Sequence, residues 1–286
     1  MTRGHIGRLL FLLVVGPSLQ AQAPSFAAHT RAVRVDVLVT ANGRPVAGLG
    51  ADAFEVRDNG VLQQVELVSF ERIPLNLVLA LDVSASVSGE RLAHLRQAAA
   101  AVLRDLHPAD RAALVTFSHA VVVHGNLTRD LDAIDGALSR IQPEGRTALL
   151  DAVHASVVVG EAEAGRPLVL VFSDGVDTAS WLTMDELRQT TRRSDAVIYG
   201  VTARGRSALL GELSHATGGS VVDVASTADL QAAFQTVLNE FRQRYLVSYT
   251  PTGTPAAGWH TIAVKVKQVP GGARVKARPG YLGDGE

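Results

Sequence analysis

The 286-residue sequence contains no cysteine. That one absence excludes disulfides, thiolate nucleophiles and thiolate metal sites, so any metal must be held by oxygen or imidazole. Excess charge is lacking too. The 27 basic and 28 acidic residues leave a formal net charge of -1, which is no electrostatic footprint for nucleic acid or an anionic membrane. Motifs of hydrolytic and phosphoryl-transfer enzymes are missing: there is no Gly-x-Ser-x-Gly elbow, no His-Glu-x-x-His pair and no glycine-rich phosphate loop. The nine histidines are scattered without ligand spacing. The N-terminal apolar run, LLFLLVV at 9–15, falls well short of the roughly 18 residues a spanning helix needs.

That run has another meaning. Arg3 and Arg8 flank it, Gly16 and Pro17 break it, and Ala21-Gln22-Ala23 is a small-x-small cleavage site. The three parts in this order read as an export signal over residues 1–23. The expected mature chain begins near Pro24, outside the cytoplasm (periplasmic or fully secreted), with no membrane span remaining after cleavage.

Three zones follow. Residues 24–73 alternate as half-buried strands: VRVDVLVT places Val33, Val35, Val37 and Val39 on one face, and Asn42-Gly43 and Asp58-Asn59-Gly60 are hairpin turns. Residues 74–243 alternate strands with helices, the rhythm of an open, mostly parallel sheet with helices on both faces. LNLVLALD at 75–82 and RPLVLVFSD at 166–174 are almost wholly apolar, as strands covered on both sides must be. Helices are expected over 89–106, 130–141, 148–163, 184–194, 206–217 and 227–243. The link from RAALVTFS to VVVHG is too short for a parallel crossover, so that pair is expected as an antiparallel edge hairpin. Residues 244–286 return to strands. Neither β zone can bury much core alone. They are expected to pair into one small β-sandwich, with the α/β domain inserted between them.

In an open α/β sheet, ligands bind beyond the carboxyl ends of the strands where strand order reverses. Two apolar strands end there in aspartate, Asp82 and Asp174. Neighbouring carboxylates repel unless a cation sits between them, and the hydroxyls of Ser84 and Ser86 are suitable hard oxygen ligands for a divalent ion. GRTALLDAV at 145–153 supplies a third segment: Gly145 permits a tight loop and Thr147 brings a hydroxyl. Thr147 reads equally as the N-cap of the helix that follows, supported by Asp151. Asp177 and Thr178 read as loop-shaping and capping residues, and Trp181 as either an exposed contact beside the site or, the preferred reading, a residue that pins its loop.

Together these pieces carry a resemblance. Asp-x-Ser-x-Ser after an apolar strand, the threonine of Gly-x-Thr-Ala-Leu-x-Asp-Ala, and Ser-Asp-Gly after a later strand resemble the three parts of the metal-ion-dependent adhesion site of von Willebrand factor type A domains. The resemblance covers about residues 75–243. It implies that Asp82, Ser84, Ser86, Thr147 and Asp174 hold a divalent cation, Mg²⁺ or else Mn²⁺ or Ca²⁺. Ser84 and Ser86 would bind directly, Thr147 and Asp174 directly or through water. Arg146 stands where many relatives have glycine. The flanking β zones are similar to those of secreted bacterial proteins of this superfamily, abundant in Acidobacteria. The implied function is that of a secreted protein-interaction module, not an enzyme, whose metal takes an Asp or Glu carboxylate from a protein partner. A metal-dependent hydrolase and a structural module with a vestigial site are the alternatives.

Overall fold

A computed structural model describes residues 32–68, 73–173, 176–203, 205, 207–267 and 273–283. The expected export signal lies outside these residues. Strands β1 (Val33–Ala41), β2 (Arg44–Pro45), β3 (Phe54–Asp58), β4 (Val61–Gln63) and β5 (Glu66–Val68) come first. The central part follows with β6 (Leu75–Asp82), α1 (Glu90–Arg104), β7 (Arg111–Phe117), β8 (Val121–Val123), α2 (Leu131–Arg140), α3 (Leu149–Gly160), β9 (Arg166–Phe172), α4 (Met184–Arg193), β10 (Val197–Ala203), α5 (Ala208–Ala216), β11 (Val221–Val224) and α6 (Leu230–Arg242). Strands β12 (Tyr245–Tyr249), β13 (Gly258–Val266), β14 (Arg274–Lys276) and β15 (Gly280–Gly283) close the chain.

The central sheet has the order β11-β10-β9-β6-β7-β8. All its pairs are parallel except β7 with β8, the expected edge hairpin. The apolar strands serve two cores at once, because side chains alternate across a strand. Leu75, Leu77, Leu79 and Leu81 of β6 join Leu168, Leu170 and Phe172 of β9 under α1, α2 and α6. Val78 and Ala80 join Val169 and Val171 on the opposite face under α3, α4 and α5. With both faces covered, no position in β6 could be polar except its ends and Asn76, whose amide donates to Gly160 O at 3.1 Å and Glu163 O at 2.7 Å.

Helix ends follow local chemistry. Asp130 and Ser207 cap α2 and α5 through their side chains, and Thr183 with Glu186 forms a reciprocal capping box on α4. The helix expected over 227–243 begins instead as a 3-10 turn at Thr227–Asp229, because the Ser226 hydroxyl accepts from Ala228 N; α6 proper starts at Leu230. The helix expected over 148–163 is shorter, Leu149–Gly160.

The flanking segments form two antiparallel sheets, ordered β14-β1-β12-β5 (with β2 on β1) and β15-β13-β3-β4. N-terminal β1 pairs with C-terminal β12 and β14, and β3 with β13. One core joins the two sheets: Val33, Val35, Val37 and Val39 meet Phe54, Val56, Tyr245, Val247, Tyr249 and Ile262. Asn42-Gly43 and Asn59-Gly60 both have positive φ at both residues, the geometry of a two-residue hairpin turn. Pro279 falls between β14 and β15, which are separate strands.

The other face of β1 meets the α/β part. Asp36 accepts from Arg166 Nε at 3.0 Å, and Arg166 begins β9. The fully buried Arg244 donates to Tyr199 Oη at 2.7 Å and Gly218 O at 2.6 Å. Arg278 pairs with Asp195 at 3.2 Å and donates to Ser194 O. Burial of so many guanidiniums is tolerated because their forked donors find carboxylate, phenol and carbonyl acceptors in fixed geometry.

Candidate metal centre

Strand order reverses between β6 and β9. From β6 the chain runs outward to β7 and β8, whereas β9, β10 and β11 build in the other direction. The two strands are in parallel register, with Leu81 beside Phe172. Asp82 and Ser173 therefore leave the sheet side by side, and Ser173 Oγ donates to Asp82 Oδ2 at 2.6 Å. Asp174, the next residue, lies outside the described residues, so its side chain is not placed here.

Asp82 is fully buried at the end of β6. Its Oδ1 accepts from Ser84 N at 2.9 Å, which turns the chain as it leaves the strand. The turn brings Ser84 Oγ and Ser86 Oγ to 3.1 Å of each other. Two adjacent ligands of an octahedral Mg²⁺ at its usual bond length lie ~3.0 Å apart, so the pair fits one edge of such a coordination shell. The donor set is all oxygen, as a hard cation requires. Among the described residues no three His, Asp or Glu side chains are grouped as metal ligands.

The segment around Thr147 is laced to both strand ends. Ala85 N donates to Gly145 O at 3.2 Å and Glu144 N to Val83 O at 2.9 Å. On the other side Thr178 N and Ala179 N donate to Thr147 O at 2.8 and 3.0 Å, and Thr147 N donates to Thr178 Oγ1 at 3.1 Å. Thr147 is only 6% exposed. Gly145 has φ of 68°, and a Cβ there would stand 2.3 Å from His119 Nδ1, so this tight crossing needs glycine on two counts.

Thr147 does not cap α3. The N-cap position is Ala148, without a side-chain bond. The cap comes from across the loop: Asp177 Oδ1 accepts from Leu149 N at 2.8 Å and Leu150 N at 3.3 Å, while Ser180 Oγ accepts from Leu150 N and Asp151 N. The Thr147 hydroxyl is thereby left out of capping, and the capping role read for Asp177 belongs to α3, the helix preceding its own strand. Asp151 lies in the first turn of α3, where its negative charge favours the helix start. Its two oxygens accept from Trp181 N and Leu182 N, each at 2.9 Å. Trp181 does not pin its loop, because its residue is 93% exposed; Asp151, Asp177 and Ser180 hold the loop by backbone and short polar contacts instead. Arg146 places its guanidinium on Thr178 O, and Arg91 Nη1 donates to Ser86 O at 3.1 Å.

Ser173 falls within the Ser-Asp-Gly motif but was not read as a partner of Asp82, a pairing that the register of β6 with β9 brings about; the contact of Asp177 with the start of α3 had no signal in the sequence.

Residues 77–176 match the von Willebrand factor type A domain family. The chain is 36% identical over 80 residues to an uncharacterized protein of Synechocystis sp., a stretch that is 27% of this chain and 19% of that protein. The chain thus spans less than a fifth of that relative. Among solved structures it is similar to proximal thread matrix protein 1 from the mussel byssus with a zinc-occupied MIDAS motif (TM-score 0.53, 15% identity, 64% of this chain and 49% of that one). It is also similar to the PilB minor pilin of Streptococcus sanguinis (TM-score 0.50, 12% identity, 60% and 62%). The α/β part has the von Willebrand factor type A fold. No helix of the described residues is long and apolar enough to cross a membrane.

Proposed function

We propose that this protein is a secreted interaction module whose divalent cation, held by Asp82, Ser84, Ser86, Thr147 and Asp174, binds a carboxylate of a protein partner. The observation that carries this reading is the meeting of three loops at the strand-order reversal, where a buried carboxylate stands beside two hydroxyls 3.1 Å apart. The zinc-occupied motif of the mussel protein supports a metal at the corresponding site of the fold. Mg²⁺ is the ambient ion that suits a small, hydroxyl-rich shell.

The donor set favours binding over turnover. Two carboxylates with neutral hydroxyls leave a divalent ion less neutralised than a carboxylate-rich cage does, so it stays attractive to an added anion. The chain's own residues hold the cation and orient its open side. The export signal read at 1–23 supports a periplasmic or extracellular setting for this activity.

The test is thermal. Mg²⁺ or Mn²⁺ should raise Tm of the wild type by linkage, and Asp82→Ala should abolish the rise. Should Asp82→Ala fail to fold, Ser86→Ala serves, with a reduced shift expected. A wild type indifferent to either ion overturns the reading. A pull-down from the producing cell's envelope with Mg²⁺ and with EDTA then separates partner binding from a purely structural ion. Metal-dependent turnover of generic ester or phosphate substrates that vanishes in Ser86→Ala would instead establish the hydrolase.

A further inference from the structure

Tryptophan is scarce in this chain, with two in 286 residues; Trp259 is partly exposed beneath the Arg192 guanidinium, and Trp181 is almost wholly in solvent. Trp181 is 93% exposed, and Val176 on the same loop is 79% exposed. A large apolar side chain left in water forgoes the burial that usually stabilises a fold. Looseness of residues 178–182 does not explain the exposure of Trp181. Asp151 grips Trp181 N and Leu182 N at 2.9 Å, Ser180 Oγ is engaged by the first turn of α3, and Thr178 is bonded to Thr147. The backbone is therefore fixed on the segment carrying Thr147, and an exposed indole is held there. Tryptophan and arginine are the residues that most often dominate protein interfaces. Arg146 and Arg91 are bound to the backbone of the same loops, at Thr178 O and Ser86 O.

We infer that Trp181 and Val176 form an apolar subsite beside the metal centre, and that the partner segment is an acidic residue flanked by a bulky apolar side chain. The inference rests on the metal-site reading. The carboxylate meets the cation with Arg91 and Arg146 supplying positive charge around it. The neighbouring side chain packs on the indole and on Val176. Charge complementarity selects the acid, and the exposed apolar pair selects what stands next to it.

In a Trp259→Phe chain Trp181 is the sole tryptophan, so its emission reports its own environment. Two blocked peptides serve as probes, N-acetyl-Leu-Glu-Leu-amide and N-acetyl-Ser-Glu-Ser-amide, each titrated in Mg²⁺ and in EDTA with affinities taken by calorimetry. The leucine probe should bind roughly tenfold more tightly and shift Trp181 emission to the blue, in Mg²⁺ only. Trp181→Ala should lower its affinity to that of the serine probe, and Trp181→Phe should restore most of the difference. Equal Mg²⁺-dependent affinities with unmoved emission would overturn the apolar subsite and leave the metal-site reading standing. Binding of neither probe in Mg²⁺, or binding unchanged by EDTA, would overturn both.

Discussion

Ser173 Oγ donates to Asp82 Oδ2 at 2.6 Å across two neighbouring parallel strands. The bond joins the two halves of the sheet at the point where strand order reverses. It also fixes which way the Asp82 carboxylate faces, since Oδ1 is held by Ser84 N. Groups that orient a ligating carboxylate typically matter 10- to 100-fold in metal affinity. Ser173→Ala should therefore weaken Mg²⁺ or Mn²⁺ binding by about tenfold or more in calorimetry. An unchanged affinity would mean that Asp82 needs no such support.

The junction between the β-sandwich and the α/β part should behave as a buried ion pair. Asp36 and Arg166 are both nearly inaccessible, and Arg166 also lies over the Phe241 ring at 4.7 Å. Removing one partner strands the other charge, at a cost of about 3–5 kcal/mol. Asp36→Ala should show that loss in urea unfolding. The double variant Asp36→Leu/Arg166→Met should recover much of it, because no uncompensated charge remains.

Alkaline pH should destabilise the sandwich. Tyr249 and Tyr281 donate to Asp58 Oδ2 at 3.0 and 2.9 Å. Burial, and then the Asp58 carboxylate, push both phenols well above their ordinary value. The unfolded chain ionises near pH 10, while the folded one resists. The stabilisation is thus fully present below about pH 10 and lost as pH rises above it. Urea unfolding at pH 8 and at pH 10.5 should show the fall, and Tyr249→Phe should make it shallower.

Asp177 should matter to α3 rather than to its own loop alone. Its Oδ1 accepts from Leu149 N, Leu150 N and Ser180 Oγ. Asp177→Ala should cost about 1–2 kcal/mol, the value of a lost helix cap. Because the same loop carries Thr178, which binds Thr147, the substitution should also lower metal affinity.

The strands and their ends were legible in the sequence for a physical reason. A strand buried on both faces must be almost wholly apolar, so β6 and β9 stand out, and the polar residue that closes each apolar run marks where the strand leaves the core. Asp82, Ser84 and Ser86 could be placed from that alone. The sandwich was legible by elimination, since two short β zones without cores of their own had to share one. Capping across 28 residues, from Asp177 to Leu149, left no local trace, because Thr147 had the better local pattern. Asp36 and Arg166 are 130 residues apart and meet only once register is known. Trp181 was legible only as a choice between an exposed contact and a loop pin, because a large apolar side chain is expected inside and only the folded loop puts it outside. Asp174 was read from the end of β9 and lies outside the described residues.

The proposed function requires a divalent cation among the loops that follow β6, α2 and β9. Crystals grown with Mn²⁺ and measured at the manganese absorption edge test it directly. An anomalous peak is expected within about 2.3 Å of Ser84 Oγ and Ser86 Oγ, absent from Asp82→Ala crystals. A wild-type crystal with no peak there, or with manganese bound only elsewhere, would contradict it.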